Sequence, residues 1–173
     1  MNDIENVARL LKDDFPKYSK NILKVVTKEG AIQPFELNPG QLAIHKQLEA
    51  QLKKTGRIRA LVLKARQVGI STYVEGRFFW RITQTKNANA FVLSHLAEST
   101  NSIFNMVRHF YENVPHPAFK PPLASQSAQT LVFDGLNSRY RVGTARSTQT
   151  GRGQTNRFVH GSEVAFYPAG SDI

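Results

Sequence analysis

The sequence predicts an α/β protein, a doubly wound and mainly parallel sheet flanked by helices, with an inserted β-hairpin. Three observations carry the prediction. Two strand–loop–helix units follow one another: Arg59–Lys64 leads into a helix from about Ser71 to Lys86, and Ala90–Ser94 leads into one from Glu98 to Glu112. Two strand-like runs, Thr130–Phe133 and Arg139–Val142, flank Asp134-Gly135, a strong hairpin turn signal. A last strand candidate at 157–161 ends two residues before an acid, Glu163.

The remaining elements follow in chain order. Ile4, Val7, Ala8 and Leu11 recur at helical spacing with Asp3 as N-cap, and Pro16 is expected to stop that helix. Ile22–Val26 reads as a strand and Gly30 as a turn, so residues 1–34 form a lead-in and 35–173 the main domain. Asn38-Pro39 is an N-cap followed by proline at the first helical position. It opens a helix through Leu42, Ile44, His45, Leu48 and Leu52 that Gly56 closes. The helix at 98–112 buries Ile103, Phe104, Val107 and Phe110 or Tyr111, and Pro115–Pro122 is a proline-rich loop. There is no internal repeat and no low-complexity tract.

With 173 residues, 40% hydrophobic and 21% charged, the chain has the composition of one globular core. It has no apolar run long enough for a membrane span, and its first residues, Met1–Glu5, are acidic and amphipathic where a secretory signal is basic and then apolar. An intracellular protein is expected. The lack of cysteine excludes disulfides and thiolate zinc sites, and the five histidines show no ligand spacing. The formal charge of +10 favours polyanionic partners. It is uneven: residues 1–56 hold 9 basic and 7 acidic groups, residues 57–173 hold 14 and 6. Arg139, Arg141, Arg146, Arg152 and Arg157 follow one another with no acid between them. Composition leaves open whether they form a solvated basic face or a phosphate-contacting surface.

Lys64-Ala65-Arg66-Gln67-Val68-Gly69-Ile70-Ser71-Thr72 stands between a predicted strand and a predicted helix, where α/β nucleotide folds hold phosphate. Against G-x-x-x-x-G-K-[ST], Gly69 and Ser71 match, Lys64 replaces the first glycine and Ile70 replaces the lysine. A lysine heading the loop can still curl back over phosphates on its flexible stem. The residues alone admit two readings, a phosphate loop and a plain strand-to-helix turn capped by a hydroxyl.

The string Lys-x-Arg-Gln-x-Gly-x-Ser-Thr resembles the deviant Walker A loop of large terminase subunits, the ATPases that package phage DNA. Phe158–Phe166, with Ser162-Glu163 where Asp-Glu is usual, resembles their Walker B strand. The resemblance covers about Phe35 to Tyr167. It implies ATP and Mg²⁺ as cofactors and a partial P-loop NTPase fold, with 64–72 (Lys64, Ala65, Arg66, Gln67, Val68, Gly69, Ile70, Ser71 and Thr72) around the nucleotide. Lys64 is assigned to the β and γ phosphates, Arg66 to the γ phosphate, Ser71 to Mg²⁺ with Thr72 as alternative, and Gln41 to the adenine edge. Ser162 takes the metal-holding position, directly or through water, and Glu163 aligns the attacking water. Arg152, and with it Arg146, is a candidate for a finger reaching a neighbouring subunit's ATP or for a DNA phosphate contact; an ordinary exposed loop arginine is the third reading.

The partners that the resemblance implies are double-stranded DNA, a portal, a small terminase subunit and further copies in a ring, in the host cytoplasm and away from membranes. Ile173 lies ten residues beyond Glu163, so the ATPase domain is expected to be truncated after the Walker B strand and the family's nuclease domain to be absent. Two other functions stand beside packaging: a helicase-like ATPase stimulated by nucleic acid, and a basic nucleic-acid-binding fragment without catalysis.

Overall fold

The structure, a computed structural model, describes residues 10–65, 67–145 and 155–168. Helix α1 (Phe15–Ile22) begins at Asp14, whose side chain accepts from the Lys17 N–H, with Pro16 in its first turn. The first helical run has ended by Asp13, as expected before Pro16, and Pro16 also starts a second, unexpected helix, because its fixed φ and missing N–H suit the first turn. The helix expected from Asp3 lies largely outside the described residues; 10–12 are helical. Strands β1 (Lys24–Val26) and β2 (Ile32–Pro34) form a separate antiparallel hairpin around Gly30.

Helix α2 (Pro39–Thr55) carries the expected Asn38 cap and ends at Gly56 in the left-handed conformation. Helix α3 (Ile70–Ile82) follows the 64–69 loop, then β3 (Asn89–Ser94), α4 (Ala97–Glu112), β4 (Leu123–Gln126), β5 (Thr130–Phe133), β6 (Ser138–Thr144) and β7 (Phe158–Ser162). The sheet is mixed and runs β4-β5-β6-β3-β7, parallel where β3 meets β6 and β7, antiparallel across the hairpin β5–β6 and onto β4.

Two expectations need correction. Arg59–Lys64 is not a strand: it belongs to no sheet, and Leu61 and Leu63 are 98% and 101% exposed. β7 therefore forms one edge of the sheet, and the sheet is mixed where a mainly parallel one was expected. Nor is the sheet doubly wound among the described residues. Leu131, Phe133, Tyr140, Val142, Ala90, Val92, Phe158 and His160 share one face by register, and both α3 and α4 pack there, through Phe79 on Phe133, Phe78 on Phe158 and Tyr111 on Phe133. β6 alternates, with Arg139 and Arg141 on the opposite face; there Phe91 and Leu93 of β3 are buried too, and the Arg141 guanidinium covers Phe91 at 4.8 Å from the ring centre.

The core sits between that sheet face and the helices. Phe15, Tyr18, Leu23 and Phe35 join Phe79, Trp80, Phe104, Val107 and Phe110 in one cluster, so the segment before residue 36 packs into the same core as the sheet.

Candidate functional site

The direction of α3 fixes where a site can form. Its C-terminal carbonyl, Ile82, accepts from Ser138 Oγ at 2.8 Å at the beginning of β6, whereas Glu75, near its N-terminus, meets His160 well along β7. The helix thus runs antiparallel to β3, β6 and β7, and its N-terminus lies at their C-terminal ends. Ser94, His95, Ser162 and Glu163 stand at that same end.

The turn into α3 is shaped by backbone. Gln67 and Gly69 have φ of 60° and 73°, and Gly69 takes the N-cap position with no side chain capping the first N–H groups. Those uncapped donors, with the positive end of the helix dipole, suit an anion. Lys64 and Ala65 are exposed, Ile70 is buried, and Ser71 and Thr72 are half-buried in the first turn. A cleft of about 420 Å³ opens beside the loop, with Asn38, Ile44, Leu63, Lys64, Val68 and Ile70 in its walls. Arg66, Arg146 and Arg152 lie outside the described residues.

Gln41 sits at the start of α2 and is 3% exposed. Its Oε1 accepts from the Asn38 N–H at 2.9 Å and its Nε2 donates to the Gly69 carbonyl at 2.7 Å, so the amide joins the caps of α2 and α3.

At the strand ends, Ser94 and Ser162 are direct neighbours across the β3–β7 pairing, both buried, and Ser94 Oγ has no hydrogen-bond partner. An orphaned buried hydroxyl beside a second one offers neutral oxygen donors of the kind Mg²⁺ takes. No group of three or more His, Cys, Asp or Glu able to hold a metal occurs among the described residues, so any such ion would be shared with hydroxyls, water and phosphate oxygens.

Glu163 has left-handed backbone, φ 59°, an uncommon conformation for a residue with a side chain. It begins the short turn Val164–Phe166, which folds back so closely that a Cβ on Gly161 would stand 2.8 Å from Val164 Cγ2. Glu163 Oε2 comes within 2.9 Å of His95 Nδ1 without hydrogen-bond alignment, a contact that becomes an ion pair when the ring is protonated. Tyr167 donates to the Leu93 carbonyl at 2.6 Å and anchors the turn; burial pushes its phenol up to about 12, and the Glu163 charge adds to the rise. Ser94 and His95 were missed by sequence reasoning. The signal was there, since a polar pair directly after a buried strand marks the strand end that faces the neighbouring acid.

The fold defines an α/β class in which a mixed five-stranded sheet, its helices and a separate two-stranded hairpin bring the loop-bearing helix end to the parallel strand ends. It is similar to the crystal structure of the HK97 bacteriophage large terminase, with a TM-score of 0.65 over 86% of this chain and 30% of that chain. At 15% identity the likeness is one of fold, and this chain spans about 30% of that structure's length. No protein-family model and no curated protein matches the chain. No helix among the described residues is long and apolar enough to cross a membrane.

Proposed function

We propose that the chain carries the nucleotide-handling part of a terminase-type motor, an Mg²⁺-dependent ATPase that drives double-stranded DNA packaging. The observation that supports it most is the convergence of an uncapped helix start, preceded by Lys64–Gly69, with Ser162 and Glu163 at one end of a terminase-like fold. In this reading Lys64 and the N–H groups after Gly69 hold phosphate oxygens. Ser71 and Ser162 hold Mg²⁺, with Thr72 as the alternative in the helix. Glu163 orients water toward the γ phosphate, and Mg²⁺ supplies charge neutralisation on the phosphates. Arg66 stabilises the same phosphate, and Arg146 or Arg152 serves a neighbouring subunit or DNA.

DNA is the proposed macromolecular partner, with a portal, a small subunit and a ring of copies. The +10 charge favours it. The test is a fluorescent ATP-analogue titration with Mg²⁺: Lys64→Ala abolishes binding while the far-ultraviolet circular dichroism is unchanged. Equal affinity in wild type and variant rejects the loop assignment.

A further inference from the structure

We propose that Gln41 is a positioning residue of the phosphate loop and not a reader of the base, so that the site takes a nucleoside triphosphate by its phosphate chain, without purine discrimination through this residue. The inference rests on the triphosphate reading above and deepens it.

Telling adenine from guanine with an amide requires a donor and an acceptor presented side by side to the base edge. Gln41 keeps a second N–H and a second lone pair, but its two bonds fix the amide plane and its burial turns those remaining sites away from solvent. Its Oε1 is taken by the Asn38 N–H at 2.9 Å and its Nε2 by the Gly69 carbonyl at 2.7 Å, and with 3% of the residue exposed the amide is shut away from a base. Gly69 itself is matched to this contact. A Cβ there would stand 2.8 Å from Gln41 Nε2, and the φ of 73° already disfavours a side chain.

The effect on phosphate follows from peptide planarity. In a trans peptide the carbonyl of one residue and the N–H of the next point in opposite directions. The Gly69 carbonyl also accepts the first helical hydrogen bond, from the Tyr73 N–H at 3.0 Å, so Gln41 is a second, lateral tether on it. That tether fixes the direction of the Ile70 N–H. Asn38 Nδ2 lies 3.4 Å from the Val68 carbonyl, whose peptide carries the Gly69 N–H. The two amides at the start of α2 thereby hold both peptide planes whose N–H groups open the uncapped end of α3. Residues 28 positions apart in sequence set the donors that a phosphate meets.

The experiment uses the full chain with Gln41→Glu and Gln41→Ala, titrated calorimetrically with ATP, GTP and inorganic tripolyphosphate in Mg²⁺. Gln41→Glu keeps an acceptor for the Asn38 N–H and loses the donor to Gly69. Gln41→Ala removes both contacts and is expected to weaken all three ligands alike, by roughly tenfold or more, while Gln41→Glu weakens them further through its added negative charge. The ATP-to-GTP ratio stays as in wild type. Weakened ATP with unchanged GTP and tripolyphosphate overturns the inference and restores base reading. Amide hydrogen exchange of the ligand-free chain decides separately: Gln41→Glu speeds exchange of the Tyr73 N–H, which donates to the tethered Gly69 carbonyl, and leaves 48–55 unchanged, and unaltered exchange at Tyr73 also overturns it. Should wild type bind none of the three ligands, the function proposed above falls, and the exchange result still judges Gln41.

Discussion

Glu75 on α3 and His160 on β7 meet at 2.7 Å between Oε1 and Nδ1, in the core and two residues before Ser162. The other Glu75 oxygen accepts the Tyr140 hydroxyl, so a fully buried carboxylate has both oxygens bonded. Burial, reinforced by the Glu75 charge and hydrogen bond, raises the Tyr140 phenol well above its ordinary value and keeps it a donor. A buried carboxylate is tolerated only when paired, and this pairing sets how α3 lies against the strands ending at Ser94 and Ser162.

Replacing Glu75 by Leu leaves the Tyr140 hydroxyl and the His160 ring without their acceptor. The expected loss is about 3 kcal/mol in urea denaturation at neutral pH, against about 1 kcal/mol for Glu75→Gln, which keeps an acceptor for Tyr140. A loss for Glu75→Leu no larger than that for Glu75→Gln would show that the carboxylate adds nothing net.

His45 makes stability depend on pH. Its Nδ1 lies 3.0 Å from the Tyr73 hydroxyl and 3.3 Å from Arg77 Nη1, with Glu49 at 3.9 Å. Desolvation first, and the Arg77 charge second, hold its pKa below the ordinary 6.5, against the weaker opposing pull of Glu49 and Asp14. A depressed folded value means that the unfolded chain binds the proton more readily. The contribution is therefore fully present above pH 6.5 and is lost as pH falls through the folded value. Denaturation midpoints should rise with pH up to about that point, and His45→Gln should flatten the rise; an identical slope in the variant would assign it to other groups.

Much of this fold was legible in the sequence, and the misses have physical causes. The Asn38 cap, the Gly56 stop, the hairpin at Asp134-Gly135 and the strand before Ser162 depend on local chemistry, and each lies where it was expected. The stop before Pro16 was legible but the helix after it was not, because a proline ends one helix and starts another by the same restriction. β4, Leu123–Gln126, carries too little apolar alternation to be seen; it forms because β5 offers it an edge. The contacts of Glu75 with His160 and of Gln41 with Gly69 span 85 and 28 positions, distances over which no periodicity speaks.

Gly69→Ala combines an unfavourable φ with a Cβ placed 2.8 Å from Gln41 Nε2. The left-handed conformation alone costs about 1–2 kcal/mol for a residue with a Cβ. Gln41→Ala removes the collision and leaves the backbone penalty, so the double variant should be more stable than the sum of the two single losses predicts. Strict additivity in thermal denaturation would mean that the two residues do not touch in solution.

Arg59–Lys64 offers the sharpest contrast between sequence and structure. Its composition is that of a buried strand, yet Leu61 and Leu63 face solvent almost completely and β7 beside the site forms an edge of the sheet. A short, apolar, unpaired segment is a template for association between chains. In this structure the two leucines contribute little to packing, so Leu61→Lys with Leu63→Lys should change the urea midpoint by less than the equivalent of about 0.5 kcal/mol, as for exposed positions in general. The same double variant should lower concentration-dependent association in sedimentation velocity, since two added charges disfavour edge contacts. A loss on the scale of buried leucines, about 2–5 kcal/mol each, would instead show that the segment is packed in solution, where β7 has the edge to receive it.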